Sequence, residues 1–508
     1  MKDPNFPAGA RAGAAGPEES SGPSEAASTD ALAESLAALQ PALDRFLRFE
    51  GPDGAARRSV WRAALDEPLP ETGLGREAVL KTLAEVVIPN GLRTGAPGFT
   101  GWVTTMPTTV PAVAQFAASL AAAQRWWATP GNFLEVLGLR WLARLVGLPD
   151  HFEGAFVGGG SLANLLGLAA ARQHAGERRG VDPSLDGLAG LPSPRVYAST
   201  EVHHVIHRAC GVLGLGRRAL RLVPVDAARR PDLGALERML DEDLARGATP
   251  VAVVASAGEV NTGAVDPVDA MRGIAHARGV WLHVDGAYGG FGVLDPRVAP
   301  LFGDLAKVDS FAVDPHKWMA IAVGCGAGFV RDGGILARAL TLEPAAYVEM
   351  APTGTGDLGS PFDERGEGNP DFSVDHSAPS RGLAVWALLK EIGAGGMRAR
   401  VVRHHDSARR VAERVRAHPA LELLSEPVLS ICCFRVRPGG STDEAALDAL
   451  NEKVLLRVRA RGRAVPSHTR LGGRFAIRPC FVNPRSTLAD ADATVDEVLA
   501  AAREVGAL

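Results

Sequence analysis

An aspartate and a lysine, each placed just past an apolar run, open the chemical reading of this 508-residue chain. The first run, Val280-Trp281-Leu282-His283-Val284, delivers Asp285 and continues into Gly286-Ala287-Tyr288. The second, Ser310-Phe311-Ala312-Val313, leads into Asp314-Pro315-His316-Lys317-Trp318. A lysine so close to a buried strand is costly to desolvate and calls for a chemical reason. Such a lysine can form a Schiff base with the aldehyde of pyridoxal 5′-phosphate (PLP). A strand-end carboxylate can then hold the ring nitrogen protonated, so that the ring accepts electrons. A structural salt bridge, or a lysine that merely caps a strand, is the plainer alternative. The motifs around the pair favour the cofactor.

Gly158-Gly159-Gly160-Ser161 closes one apolar run and opens a helical segment. Glycines let backbone approach an anion, and a helix N-terminus offers free N–H groups with a favourable dipole. Alone, the run reads equally as a tight strand–helix turn. Beside the Asp/Lys pair it reads better as a cradle for the PLP phosphate. No Gly-Lys-Ser/Thr follows, so it is not a Walker loop. Ser161 offers its hydroxyl, and Asn164 lies one helical turn deeper. His203, His204 and His207 cluster past another strand. On a helix His203 and His207 would share a face, yet no His-Glu-x-x-His pattern forms, and no metal site is expected. A histidine stacked on the cofactor ring fits better, with a satisfied structural histidine as the alternative.

The elements that must carry these residues follow from the apolar pattern. Short strands are expected at Ala155–Val157, Arg195–Ala198, Leu220–Val223, Val251–Ala255, Gly279–Val284 and Ser310–Val313. Helices are expected over Leu162–Gln173, Asp232–Ala245 and Pro267–Ala277. Near-continuous apolar strands alternating with helices predict a mostly parallel sheet covered on both faces, in which functional groups gather at strand carboxyl ends. Leu32, Leu36, Leu39, Leu43, Phe46 and Leu47 recur at helical spacing, with Thr29 or Asp30 available as N-cap, and that stripe needs a partner surface.

Composition excludes several classes. A formal net charge of −4 is no footprint for nucleic acid or an anionic membrane, and Arg217-Arg218 and Arg229-Arg230 read as solvated faces. Five cysteines, Cys210, Cys325, Cys432, Cys433 and Cys480, lack metal-ligand or paired spacing, which suits a reducing cytoplasm. Residues 1–30, rich in Ala, Gly, Pro, Ser and Glu, read as a disordered tail and not a signal peptide. No run is apolar enough to span a bilayer.

Taken together, these motifs resemble the group II PLP-dependent amino acid decarboxylases, the family of aromatic-amino-acid, glutamate and cysteine-sulfinate decarboxylases. The resemblance runs from about residue 40 to the C-terminus. It implies the α/β architecture of PLP-dependent transferase fold type I (aspartate-aminotransferase-like). A helical dimerisation segment (31–110) precedes a large PLP domain (111–385) with a mostly parallel sheet and a smaller C-terminal α+β domain (386–508). Gly159, Gly160 and Ser161 match the phosphate turn and His203 the stacked imidazole. Asp285 matches the ring-nitrogen partner and Ala287 the small residue packed on the ring. His316-Lys317 matches the His-Lys pair, with Lys317 as the Schiff-base residue. Leu342–Tyr347 is similar to the start of a mobile catalytic loop, with Tyr347 as proton donor and the Gly/Thr-rich Thr353–Gly359 beyond it. Ile477–Pro484 is similar to a C-terminal strand and asparagine turn. The family implies an obligate homodimer with a shared active site, which would give the Asp30–Phe49 helix its missing surface.

The implied reaction releases CO2 and an amine from an L-amino acid. Tyr347 favours this over aldehyde formation, since members with Phe there resemble aldehyde-forming enzymes. Phe99 and Trp102 match the side-chain pocket, so an aromatic substrate is preferred over an acidic one. Several positions depart from the family pattern. Leu162 stands for Glu, Glu259 for a small hydroxyl residue, Gly286 for Ala, and Ala378-Pro379 for paired arginines, leaving Arg381 to bind substrate. Another PLP-dependent carbon–carbon lyase or aldehyde-forming reaction, and a non-catalytic PLP-fold binding protein, are the competing readings.

Overall fold

The computed structural model of the chain describes residues 31–49, 58–121, 127, 129–340, 372–375 and 377–508. The tail read at 1–30, both N-cap candidates, and the segment with Tyr347 and Thr353–Gly359 lie outside these residues. The chain divides into two compact units between Leu92 and Arg93.

In the first unit the leucine stripe forms the helix Leu32–Leu47. Arg76 reaches Glu34 on it at 2.8 Å; a helix at Arg58–Leu65 follows, and a third, Arg76–Thr82, runs on into a π-helical turn, Leu83–Val87. The helix buries little of its apolar face. Leu32, Leu36, Leu43 and Leu47 remain 39–45% exposed, and Ala42 is its one buried residue.

The second unit opens with strand β1 (Phe99–Thr100). Seven strands then build the main sheet: β2 (Glu153–Val157), β3 (Pro194–Ser199), β4 (Leu220–Val223), β5 (Thr249–Ser256), β6 (Trp281–Gly286), β7 (Ser310–Val313) and β8 (Gly326–Val330). Their order is β2-β8-β7-β6-β5-β3-β4. All neighbouring pairs from β4 to β7 are parallel, and β8 runs antiparallel to both β7 and β2. The expected mostly parallel sheet is therefore present, with one reversed strand that the apolar pattern did not reveal. Glycines hide β8, and packing requires them. A Cβ on Gly328 would lie 3.1 Å from the Ala163 carbonyl oxygen, on the helix that crosses this face. Strand β6 begins at Trp281, two residues later than expected, because Gly279 turns the chain at φ +65°.

Period-two alternation assigns the faces. Val253, Ala255, Leu282, Val284, Phe311 and Val313 join one core with Val385 and Leu388 of the long helix Gly382–Ala417. Ala252, Val254, Trp281 and Ala312 join the other core with Ala163, Leu166 and Ala170 of the helix Gly160–Glu177. Asp285 alternates with Trp281 and His283, so it belongs to the second face.

A five-stranded sheet, in the order β1-β11-β12-β10-β9, completes the unit with β9 (Leu421–Ser425), β10 (Cys433–Val436), β11 (Val465–Leu471) and β12 (Arg474–Arg478). Residues 93–110, grouped in sequence with the N-terminal segment, lie in this unit, and β1 pairs parallel with β11. The long helix, kinked at Gly393, runs through residue 385 and packs on both sheets. All five cysteines are free and buried.

Just past β5, Asp266 accepts a hydrogen bond from the Ser256 amide at 2.8 Å, and its Oδ1 is buried without a partner. Burial raises its carboxyl to about 7 against that hydrogen bond, with Glu259 and Asp285 adding to the rise. The folded state thus keeps a proton that an unfolded carboxyl, near 3.8, gives up. Its contribution to stability is full at low pH and is lost as pH rises from about 4 to 7. Asp266→Asn should melt about 2–5 °C above wild type at pH 8, with the gap narrowing below pH 7 and closing near pH 4. A pH-independent gap in thermal unfolding would contradict this.

Candidate active site

Strand β2 runs parallel to β7 across β8, so the carboxyl ends of β2, β3, β5, β6 and β7 share one edge. Their continuations enclose a cavity of about 280 Å³, lined among others by Gly159, Ser161, His203, Asp285, His316 and Lys317. Gly160 and Ala287 also reach it. Every cofactor-binding position expected from the sequence therefore borders one space.

The turn after β2 places Gly159 at φ +130°, and no side chain caps the helix Gly160–Glu177 that follows. Its first-turn N–H groups are the natural seat for a phosphate. Gly160 has no substitute here. A Cβ would lie 2.6 Å from Asp314 Oδ2 and 2.9 Å from the Ala287 methyl. Asn164 steadies the turn by donating to the Gly160 carbonyl at 2.8 Å, and its own oxygen receives His283 Nε2–H at 2.7 Å.

Asp285 is 8% exposed at the end of β6 and accepts the Ala287 amide through Oδ1 at 3.0 Å. Lys317 sits in the short helix Pro315–Trp318, which Trp318 pins by donating Nε1–H to the Tyr288 carbonyl at 2.5 Å. Lys317 Nζ lies 2.9 Å from Asp314 Oδ2. His316 donates Nδ1–H to the Cys325 carbonyl at 2.8 Å and lies against Gly159. His203 is not on a helix face shared with His207. It caps the helix His204–Val212, its Nδ1 accepting the Val205 amide at 3.3 Å. Burial lowers its pKa while Asp285 opposes the fall, which leaves a neutral ring with its proton on Nε2. Among the described residues no group of three or more His, Cys, Asp or Glu could hold a metal ion.

Three departures from the family pattern have packing explanations. Glu259 lines the cavity, yet its carboxylate turns back on its own loop, accepting the Asn261 amide at 2.6 Å and both the amide and hydroxyl of Thr262. Burial pushes its carboxyl up against those hydrogen bonds. At Gly286 a Cβ would meet the Phe311 ring at 2.7 Å. Leu162 packs beside the second core. Of the substrate candidates, Phe99 is buried and Trp102 is 61% exposed, their rings 6.2 Å apart. Arg381 donates to the Gly324 carbonyl at 2.9 Å and lies behind Gly158, with Nη1 buried and unpartnered. None of these three borders the cavity. The cavity residues not foreseen as site residues include Asp314, and Ser256 at the end of β5. Asp314 was in plain view beside Lys317, whereas Ser256 carried no signal of its own.

The donor set fits PLP. An uncapped helix N-terminus suits a phosphate, a buried strand-end carboxylate suits a protonated ring nitrogen, and an amine in the same cavity suits an aldehyde. Comparison with known proteins agrees. Residues 61–437 match the pyridoxal-dependent decarboxylase conserved domain. An aromatic-L-amino-acid decarboxylase of Bacillus atrophaeus is 29% identical over 453 residues, covering 88% of this chain and 89% of that protein. A phenylacetaldehyde synthase of Arabidopsis thaliana is 28% identical over 364 residues, 70% of each chain. The structure of Oryza sativa TDC with PLP and tryptamine superposes with a TM-score of 0.84 at 25% identity, covering 95% of this chain and 99% of that one. On the match over most of its length, borne by a cavity with the matching chemistry, the chain belongs to the pyridoxal-dependent decarboxylase family.

Proposed function

We propose that this PLP-dependent carboxy-lyase converts an aromatic L-amino acid to its amine and CO2. The observation that carries the reading is the meeting of Lys317, Asp285 and the uncapped Gly159–Ser161 turn in one cavity. The aromatic preference draws on the relatives and on the Phe99–Trp102 pair, assigned here to the substrate side chain. Arg381 lies outside this cavity, and its assignment to the substrate carboxylate draws on the family resemblance.

Bound PLP supplies the electron sink that lets the carboxylate leave as CO2. Lys317 would hold the cofactor through its amine, the one lysine that lines this cavity among the described residues. Asp285 keeps a proton on the ring nitrogen, and the N–H groups at Gly160 and Ser161 hold the phosphate. His203, neutral and fixed through Nδ1, offers its ring face to the cofactor. Tyr347 returns a proton to the α-carbon. The four exposed leucines of Leu32–Leu47 are covered by a second copy of the chain, as an apolar stripe of this kind requires. Five free, buried cysteines fit the reducing setting of a cytoplasm.

The PLP-loaded enzyme, offered aromatic, acidic and aliphatic L-amino acids, should release equal CO2 and amine from the aromatic class. Asp285→Asn should cut that turnover by about 10⁴, the scale of losing an orienting carboxylate. CO2 from acidic substrates alone would overturn the substrate reading, and a near-normal Asp285→Asn rate the ring-nitrogen role. The phenylacetaldehyde synthase relative makes aldehyde formation the second reading. Tyr347→Phe should divert product from amine to aldehyde, measured by chromatography; an unchanged amine yield removes Tyr347 as proton donor. Paired Leu36→Asp and Leu43→Asp substitutions should shift a dimer to monomer in sedimentation velocity, and a persisting dimer would place the interface elsewhere.

A further inference from the structure

We propose that Asp314 is the counter-ion that receives Lys317 whenever Nζ is not bonded to the cofactor, keeping the free amine charged and parked beside the glycine turn. The proposal rests on Lys317 being the cofactor lysine and adds a residue to its cycle. Asp314 occupies the N-cap position of Pro315–Trp318, where an aspartate ordinarily accepts an amide of the first turn. It makes no such bond. Backbone contacts hold the short helix instead, with Lys317 N–H on the Asp314 carbonyl at 3.0 Å and Met319 N–H on the Pro315 carbonyl at 3.1 Å. The carboxylate, 2% exposed, is left for the cavity. Its Oδ2 takes Nζ at 2.9 Å, and Oδ1 has no hydrogen-bond partner among the described residues. The missing side chain of Gly160 makes the room, since a Cβ there would lie 2.6 Å from Oδ2.

An isolated ammonium in such a cavity tends to lose its proton to desolvation, and an adjacent carboxylate reverses that preference. The other titratable groups around Nζ pull in opposing directions. Asp285 favours the cation, a protonated His203 or His316 would oppose it, and Cys480 is a buried thiol. His316 Nδ1 is 3.9 Å from Asp314 Oδ1 but is already donated to Cys325, so it does not compete for the carboxylate. Asp314 is therefore the nearest and least encumbered anion. A lysine held there is kept from acting as a stray proton donor, which leaves that task to a separate group.

The test reads the amine itself, in the full-length apoprotein. Reductive methylation with formaldehyde and cyanoborohydride from pH 6 to 10, followed by peptide mass spectrometry, gives the titration of Lys317 against exposed Lys453. Asp314→Asn should move the Lys317 midpoint at least one pH unit lower, about tenfold more labelling near neutrality. Asp314→Glu should restore most of the wild-type profile, and Lys453 should be unmoved in all three. An unchanged Lys317 midpoint in a folded Asp314→Asn protein, judged by circular dichroism, overturns the proposal. If Asp314→Asn fails to fold, Asp314→Ser takes its place: the same downward shift upholds the proposal and an unchanged Lys317 midpoint overturns it. Borohydride reduction of PLP-loaded wild type separately checks the underlying reading. A pyridoxyl tag away from Lys317 sinks the cofactor assignment whatever the titration shows.

Discussion

The site depends on how closely the helix Gly160–Glu177 approaches the sheet. Gly167 marks the contact, since a Cβ there would lie 2.3 Å from His283 Nδ1 and 3.0 Å from Ser310 Oγ. At that separation side chains of the strands bond directly to the helix. Trp281 Nε1–H donates to Ser310 Oγ at 2.8 Å, and the Ser310 hydroxyl donates on to His283 Nδ1 at 2.8 Å. His283 Nε2–H then donates to Asn164, and Asn164 to the Gly160 carbonyl. The direction is forced, because the indole only donates and the two carbonyl oxygens only accept. Burial holds His283 neutral, down to about 4, so the tautomer survives through the neutral range. A buried polar chain with every member satisfied is rigid, and this one ends on the glycine turn that lines the cavity.

Apart from Asp314, three buried carboxyls along this edge of the sheet are managed in three ways. Glu259 is consumed by Asn261 and Thr262, and Asp266 lowers its cost by keeping a proton up to about 7. Asp285 accepts only one backbone amide and retains a free oxygen toward the cavity. Three adjacent negative charges in a dry site would repel strongly. Neutralising one and tying another into a loop lessens that repulsion on Asp285, the strand-end residue that lines the cavity.

Much of this was legible in the chain because it lies where near-continuous apolar strands end. Asp285, Lys317 and the glycine run each follow such a strand, and the helix boundaries fell within a few residues of those expected. What escaped notice escaped for physical reasons. Strand β8 is built from glycines that a neighbouring helix demands, so it carries little apolar signal. Asp314 before Pro315 reads as a helix cap, and only coordinates reveal that the cap bond is absent. Glu259 read as a departure near the cofactor because nothing in sequence shows a side chain folding back on its own turn. Phe99 and Trp102 are close in sequence and alike in chemistry, yet one is buried and the other exposed.

That last contrast has a structural cause in the C-terminal sheet. Trp102 sits at φ +53°, a left-handed conformation that is costly for an aromatic residue and persists only where its surroundings impose it. Arg478, 4% exposed at the end of β12, donates to the Trp102 carbonyl at 3.2 Å and to the Ser467 hydroxyl at 3.1 Å. Its remaining N–H groups reach the carbonyls of Val260 and Asn261. All four acceptors are uncharged, so the guanidinium is spent on orienting backbone and not on neutralising a carboxylate. One buried arginine thereby ties the Trp102 turn to the loop that carries Glu259 along the cavity wall. The indole is held out to solvent by the same bond that steadies the wall, so the five-stranded sheet shapes the site without contributing a reacting group.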